Sequence, residues 1–387
     1  MQNMLIVRGD FFVKRDNDFY FYGSGNNNLL AINSYCMGDI DFLCWYKDDP
    51  SIDVTKLEKF IPSPNINLLV YDKKLSFKEK KKIIKKEVKN HTYVSMKMPL
   101  KDALLACWYA IRYHKKFVLE SAGSAFQSLW YHGGLKYKLA AIPIEMLVKY
   151  YHRKAKYIVF VSKFNLQKSY KSKAYQIGCP DVVLDMPKEE VLQKRLSKIE
   201  ENKNTYYVGL IGATQAEYRG HDILIKAIKI LQDKNYDVHI RFLGGGTKDE
   251  KRKELATSLS VLDKVEFCGR LPHDKVLDWI DDIDILAMPT KVESLGRAII
   301  EAMSRGCPVV GSKDTAVEEQ IGSDCLIEAT DYKGLASKIE YLINHKDYMK
   351  YCALENFYRS FKYENSITKE TKKEFYDYFY SREKVNE

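Results

Sequence analysis

Residues 284–311 read DILAMPTKVESLGRAIIEAMSRGCPVVG. The run Ile283 to Met288 is stopped by Pro289, and Gly306-Cys307-Pro308 opens a second run at Val309-Val310. Short apolar runs bounded by turn residues read as buried strands. Between them Ala298, Ile299, Ala302 and Met303 recur at helical spacing behind the start signal Ser294-Leu295-Gly296. The stretch is therefore strand, loop, helix, strand.

Two carboxylates bracket the helix start. Glu293 falls in the loop after the first strand, where an α/β sheet opens into its ligand crevice. Glu301 falls inside the helix, roughly 7 to 8 Å further along at about 1.5 Å per residue. Between them the free N–H groups from about Ser294 to Arg297 can take an anion. A sugar hydroxyl, a diphosphate and a ribose in succession fit this geometry. Spacing alone also fits two solvated glutamates on an ordinary helix.

The wider wording favours the ligand. Proline, three residues, Glu293, Ser-Leu-Gly, then Glu301, Ala-Met and Gly-x-Pro-Val resemble the paired-glutamate signature of retaining family 4 glycosyltransferases, of the kind that build bacterial polysaccharide and lipopolysaccharide. That resemblance implies the GT-B fold: α/β, with two Rossmann-like doubly wound domains facing a cleft and a C-terminal helix crossing back to the first. It also implies that Glu293 binds hydroxyls of the donor sugar, that Ser294, Leu295 and Gly296 lie near sugar and phosphates, and that Glu301 holds the nucleotide ribose.

Outward from this stretch, the second half alternates regularly. Tyr206–Ile211, Val238–Leu243 and Val265–Cys268 read as strands, and Asp222–Leu231, Lys248–Leu259 and Lys275–Ile280 as helices. Repeated β-α-β crossovers imply a parallel, doubly wound sheet. The segment Gly212 to Gly220 resembles the family's phosphate loop. Arg219 takes the place of its lysine, Thr214 stands where an arginine is often found, and Lys291 can supply the second cation. Gly244 and Gly245 permit close backbone approach, and Arg270 and Leu271 match the segment that lies beside the nucleobase. Asp281, Asp282 and Asp284 mimic a metal cluster but read as the end of one helix and the start of a strand. No metal and no cofactor is expected; the nucleotide-sugar, UDP- or GDP-linked, is a substrate.

The first half carries fewer signals. Leu5–Val7, Phe19–Tyr22 and Ile40–Trp45 read as strands, with a helix near residues 29–37. Gly23-Ser24-Gly25 reads either as a phosphate cradle or as an ordinary turn. Tyr157–Ser162 and Asp181–Leu184 are later strands. Glu120, at the end of the strand Phe117–Glu120, and His132 are candidate catalytic groups lining the cleft, or else loop and core residues. The expected domains are 1–187 for the acceptor, a linker at 188–204, 205–355 for the nucleotide-sugar, and a helical tail at 356–387 packing on the first domain.

Charge is uneven. The first 190 residues hold 31 of the 62 Lys+Arg and 19 of the 52 Asp+Glu, a balance of +12 against −2 for the remainder. Such asymmetry suggests an anionic partner for the first half. The most basic segment, Lys73 to Lys89, carries a capping box at Ser76 and Glu79, and Phe77, Ile84 and Val88 share one face. It reads as a helix on an anionic membrane, or as a solvated helix packed inward. Aromatic interleaving is sparse, so no nucleic-acid partner is expected. The eight cysteines form no CxxC pair, which excludes a zinc ribbon or redox dithiol on spacing and suits reduced thiols. A start without a basic, apolar leader suggests a cytoplasmic protein, peripheral at most on the inner membrane face.

The reading is a glycosyltransferase moving sugar from a nucleotide-sugar to a glycan or lipid-linked acceptor. The alternatives are a sugar-nucleotide epimerase or hydrolase of the same fold, and a non-catalytic nucleotide- or anionic-surface-binding protein.

Overall fold

Alternating apolar strands and amphipathic helices fold, in the computed structural model, into two units. The structure describes residues 3–9, 11–21, 32, 35–61, 63–132 and 134–383. Gly23-Ser24-Gly25 and most of the helix expected near 29–37 lie outside them.

The first unit takes in Met1–Phe126, Leu139–Val183 and Ser366–Glu387. Its sheet runs Asp18–Phe21, Phe11–Arg15, Asp39–Lys47, Asn3–Val7, Tyr93–Met98, Lys116–Ser121, Tyr157–Phe160 and Tyr175–Gly178, with Ile66–Asp72 also paired to Asp39–Lys47. All pairs are parallel except the hairpin of Phe11–Arg15 with Asp18–Phe21. The C-terminal helix Asn365–Glu383 buries Phe375, Tyr376, Phe379 and Tyr380 in this unit's core. There Tyr376 meets Tyr35, and Tyr93 and Tyr157 both meet Phe379, with ring centroids 5.0 to 5.3 Å apart. Such pairs add to the stabilisation from burial alone, and they give many of the chain's tyrosines a packing role.

The second unit takes in Gln127–Lys138 and Leu184–Asn365. Its sheet is wholly parallel, ordered Val265–Gly269, Asp237–Leu243, Thr205–Ile211, Ile285–Met288, Val309–Ser312, Leu326–Ile327. The helix His221–Asp233 shows why the elements pair this way: Leu224, Ile225, Ala227, Ile228 and Leu231 form one buried face, and each fully buried aliphatic side chain stabilises by about 1.5–3 kcal/mol.

Two expected boundaries are corrected. Lys188–Asn204 is not a free linker: Glu189–Glu200 is a helix that buries Leu192, Arg195 and Ile199 within the second unit. Gln127–Lys138 groups with the second unit, where the Tyr131 ring lies 6.2 Å from that of Tyr218.

Candidate functional site

The strand order puts Thr205–Ile211 between Asp237–Leu243 and Ile285–Met288. The chain builds outward on one side, then returns to build on the other. Loops leaving the two central strands therefore diverge and open a crevice, the usual ligand position in a doubly wound sheet. The two loops here are 212–220 and 289–296.

Their backbones are tied together. Lys291 N donates to Tyr218 O at 2.8 Å, and Thr290 Oγ1 donates to the same carbonyl at 3.2 Å. Gly220 has a left-handed φ of +85°, and any Cβ there would strike the carbonyl of Pro289. Only glycine permits that approach.

This contact delivers Arg219 to Glu293. Arg219 Nη1 and Glu293 Oε2 form an ion pair, with both side chains largely shielded. The arginine stem lies on Gly212, where a Cβ would come within 3.3 Å of its Cγ and Cδ. The second carboxylate oxygen of Glu293 accepts from Ser294 N at 3.2 Å, and its carbonyl accepts from Ala316 N at 3.0 Å. The acid is thus fixed at both ends. Gly296 then caps the helix Arg297–Ser304 in the left-handed region, φ 70° and ψ 54°, and Glu301 follows half-buried inside that helix.

A residue not anticipated from sequence supports this turn. Gln320, almost fully buried, donates Nε2 to the carbonyl of Leu295 and, at 3.4 Å, to that of Gly296. It also crowds Gly296, where a Cβ would lie 2.5 Å from its Oε1. Twenty-four residues separate the partners, and no local pattern announces the link.

The glycines after Asp237–Leu243 close the other side. Gly244 takes φ +119°, donates to Gly269 O at 2.6 Å, and leaves room for Gly212 O, which a Cβ would meet at 2.5 Å. The Arg270 stem passes Gly245, and Arg270, Leu271, Lys291 and Arg297 are exposed. The loops and helix start that follow these strands thus carry Arg219, Lys291, Arg270 and Arg297 alongside Glu293 and Glu301, a cationic balance suited to a diphosphate. Thr214 contributes only backbone: its fully buried hydroxyl donates to Asp249 at the start of the helix Asp249–Ser258. His221, fully buried behind the loop, is held down to about pKa 4, first by burial and then by Arg252. It adds no charge at neutral pH.

Other candidates lie elsewhere. Glu120 is in the first unit and is enclosed rather than open. Its carboxylate faces Arg8 at 3.5 Å and accepts from Ser95 Oγ and Tyr376 OH, each at 3.4 Å. Arg8 and Lys97 in turn reach Asp181 at 3.0 and 2.6 Å. Burial opposes ionisation of Glu120, yet Arg8, Lys372 and Lys97 outweigh it and hold the carboxyl below its ordinary range. His132 ends the helix Ala125–His132, and its side chain lies outside the described residues. Asp281 binds Arg305, through Nε at 2.8 Å, while Asp284 takes Lys203 and, at 2.8 Å, Tyr207 N. Both acids act in the framework. The helix Phe77–Asn90 has the expected capping box, but Ile84 and Val88 are buried, leaving only Phe77 of its apolar face in solvent.

Two α/β units, one on a wholly parallel sheet with its crevice at the switch point and one on a sheet parallel but for a single hairpin, match the GT-B fold, and whole-chain likeness to solved structures agrees. Sucrose-phosphate synthase from Thermosynechococcus elongatus superposes with TM-score 0.71 at 13% identity, covering 99% of this chain and all of that one. Anabaena HepE, solved in complex with UDP-glucose, gives 0.65 at 14% identity, covering 99% and 100%. Residues 193–356 match the family model "Glycosyl transferases group 1". Protein CapJ of Staphylococcus aureus is 27% identical over 288 residues, 73% of this chain and 71% of its own length. Among the described residues no helix is long and apolar enough to cross a membrane.

Proposed function

We propose that this chain is a retaining, metal-independent glycosyltransferase that moves a sugar from a UDP- or GDP-sugar to a glycan or lipid-linked acceptor in cell-surface polysaccharide biosynthesis, working on the cytoplasmic side of the membrane. One observation carries the reading: Arg219 and Glu293, from different loops, meet at the switch-point crevice beside the left-handed start of a helix. The domain match and the resemblance to CapJ support the same class.

In this reading Glu293 holds Arg219 in place until the donor arrives. The diphosphate then takes the guanidinium and the N–H groups at 294–297, and the freed carboxylate accepts hydroxyls of the sugar. Glu301 accepts from the ribose, while Arg270 and Leu271 flank the base. The bond from C1 to the phosphate oxygen breaks as the acceptor hydroxyl attacks from the same face, and its proton passes to that phosphate oxygen. Configuration is retained without a protein nucleophile. Arg219 and the helix start supply the positive charge that stabilises the leaving group. The enclosed Glu120 takes no proton in this scheme, and the first unit selects the acceptor.

The test is donor binding by thermal shift across UDP-, GDP- and ADP-sugars, followed by product analysis with and without acceptor in EDTA. One donor class should stabilise the protein, with nucleoside diphosphate released only when acceptor is present. Steady release of free sugar without acceptor would favour a hydrolase, and no stabilisation by any nucleotide-sugar would end the reading.

A further inference from the structure

The helix Leu135–Lys154 has a solvent face unlike any other among the described residues. Leu135, Leu139, Ile142, Met146 and Tyr150, spaced at four, three, four and four residues, are 73, 69, 59, 66 and 44% exposed. That spacing lines them along one side of the helix, and the run from Leu135 to Tyr150, at about 1.5 Å per residue, makes a stripe roughly 22 Å long. The opposite side is occupied: Ala141, Glu145, Val148, Tyr151 and His152 are buried.

Cations flank the stripe on both sides. On a helical projection at about 100° per residue, Lys138 and Lys149 border one edge, Lys136 and Lys154 the other, and Arg153 lies in line with it. The helix's one acid, Glu145, is turned inward, its Oε2 accepting from Tyr170 OH and Phe126 N at 2.9 Å each while its Oε1 lies 3.5 Å from Lys149 Nζ. His152 is also buried and held down to about pKa 4, chiefly by burial, so it stays neutral. The exposed surface is therefore apolar at the centre, with lysines and an arginine around it and its one acid buried beneath Lys149.

We propose that this face docks on an anionic phospholipid bilayer, its aliphatic stripe entering the acyl boundary and its lysines meeting lipid phosphates. Charge selects this occupant over a second copy of the chain, because two such faces brought together would oppose five cations with five and offer no acid between them. The contrast with the helix Phe77–Asn90 is direct. That segment has more lysines but buries Ile84 and Val88, so it presents charge without an apolar wedge. The inference is independent of the sugar-transfer reading, since it requires neither donor nor acceptor.

The experiment is flotation of the full chain, without nucleotide, on vesicles of phosphatidylcholine alone and of phosphatidylcholine with phosphatidylglycerol. Wild type should float with the anionic vesicles and not with the neutral ones. The triple variant Leu139→Ser, Ile142→Ser, Met146→Ser should lose more than about tenfold in partitioning, and Lys138→Gln, Lys149→Gln, Lys154→Gln on the order of a hundredfold. Lys81→Gln, Lys82→Gln, Lys85→Gln on the other basic helix should float like wild type. If the serine variant misfolds, the glutamine set carries the test alone. Wild type remaining unbound, the serine variant floating unchanged, or loss confined to the Lys81 set would each overturn the proposal. So would a wild-type dimer that the serine variant dissolves while neither floats, which would assign the face to self-association.

Discussion

Glu120 and Glu293 occupy the same kind of address, at the C-terminal end of a parallel strand in a doubly wound unit, and are put to opposite uses. Around Glu120 the chain supplies Arg8, Ser95, Lys97, Asp181, Lys372 and Tyr376, and the carboxylate is enclosed. Around Glu293 it supplies Gly212, Gly220 and Gly296, one arginine and a helix start. Glycines leave volume that side chains would fill, so the second acid faces a crevice and the first faces its partners. Position at a strand end is thus insufficient for a ligand site; the side chains missing around the acid decide it.

The sharpest break of this comparison is on the enclosed side. Arg8→Met should leave Glu120 without its nearest cation and Asp181 without one of its two closest, at a cost of about 3–5 kcal/mol for an uncompensated buried charge. Denaturant unfolding would measure it. The open side should respond in rate more than in stability: Glu293→Gln is expected to lower transfer by about 10²–10³-fold, as for removal of one preorganised contact to the reacting group, with a smaller melting loss than Arg8→Met because the Arg219 side chain is 25% exposed and that of Arg8 only 4%. A melting loss at Glu293 as large as that at Arg8 would dissolve the distinction.

Acid sharpens it next. Asp181 lies well below the ordinary carboxylate range: burial pushes it up, but Arg8, Lys97 and Lys372 prevail. A depressed carboxyl stabilises the fold above its unfolded pKa and loses that contribution as pH falls through the folded one, so this network fails only below about pH 4. His221 acts earlier. Its folded pKa of about 4 lies below its ordinary value of 6.5, so the unfolded chain binds the extra proton as pH falls from 6.5 to 4, at a slope of up to roughly 1.4 kcal/mol per pH unit. His152, also near 4, adds the same loss in the first unit. His221→Gln should flatten the stability profile over that window, whatever it does to stability at pH 7; an unchanged slope would mean the ring is not held neutral.

The two units also differ in how far their sequences expose them. Strands of the second unit alternate with helices, and those at His221–Asp233 and Arg297–Ser304 have apolar buried faces, so the sheet, the two loops and the pair of glutamates could be placed from residue order. The helix Glu189–Glu200 escaped because an arginine takes a core position. Arg195 is buried and donates to the carbonyls of Ile283 and Ile280 at 2.6 and 2.8 Å and of Arg305 at 3.3 Å, interrupting the apolar period with a charge that only tertiary contacts satisfy. The strand Phe11–Arg15 escaped for a related reason: it is a short element next to the sheet edge, and its parallel partner lies more than thirty residues away. Glu120 looked available because sequence shows an acid and not the six groups that fold around it.

Gln320 offers the smallest and most local test of the open site. Its amide, donated to the carbonyls of Leu295 and Gly296, holds the turn that begins the helix after Glu293, and it touches neither Arg219 nor Glu293 in the structure. Gln320→Ala should remove a net hydrogen-bond contribution of about 0.5–1.5 kcal/mol and loosen Gly296, the residue whose left-handed backbone aims the helix N–H groups. The first effect is a modest fall in melting temperature. The second should weaken donor binding several-fold while leaving turnover at saturating donor close to wild type, because the donor, once bound, restores the turn. Kinetics that fall in turnover alone would place Gln320 in the chemistry, and kinetics unchanged in both would show that the loop keeps its shape from glycine and the Ala316 contact without help from the amide.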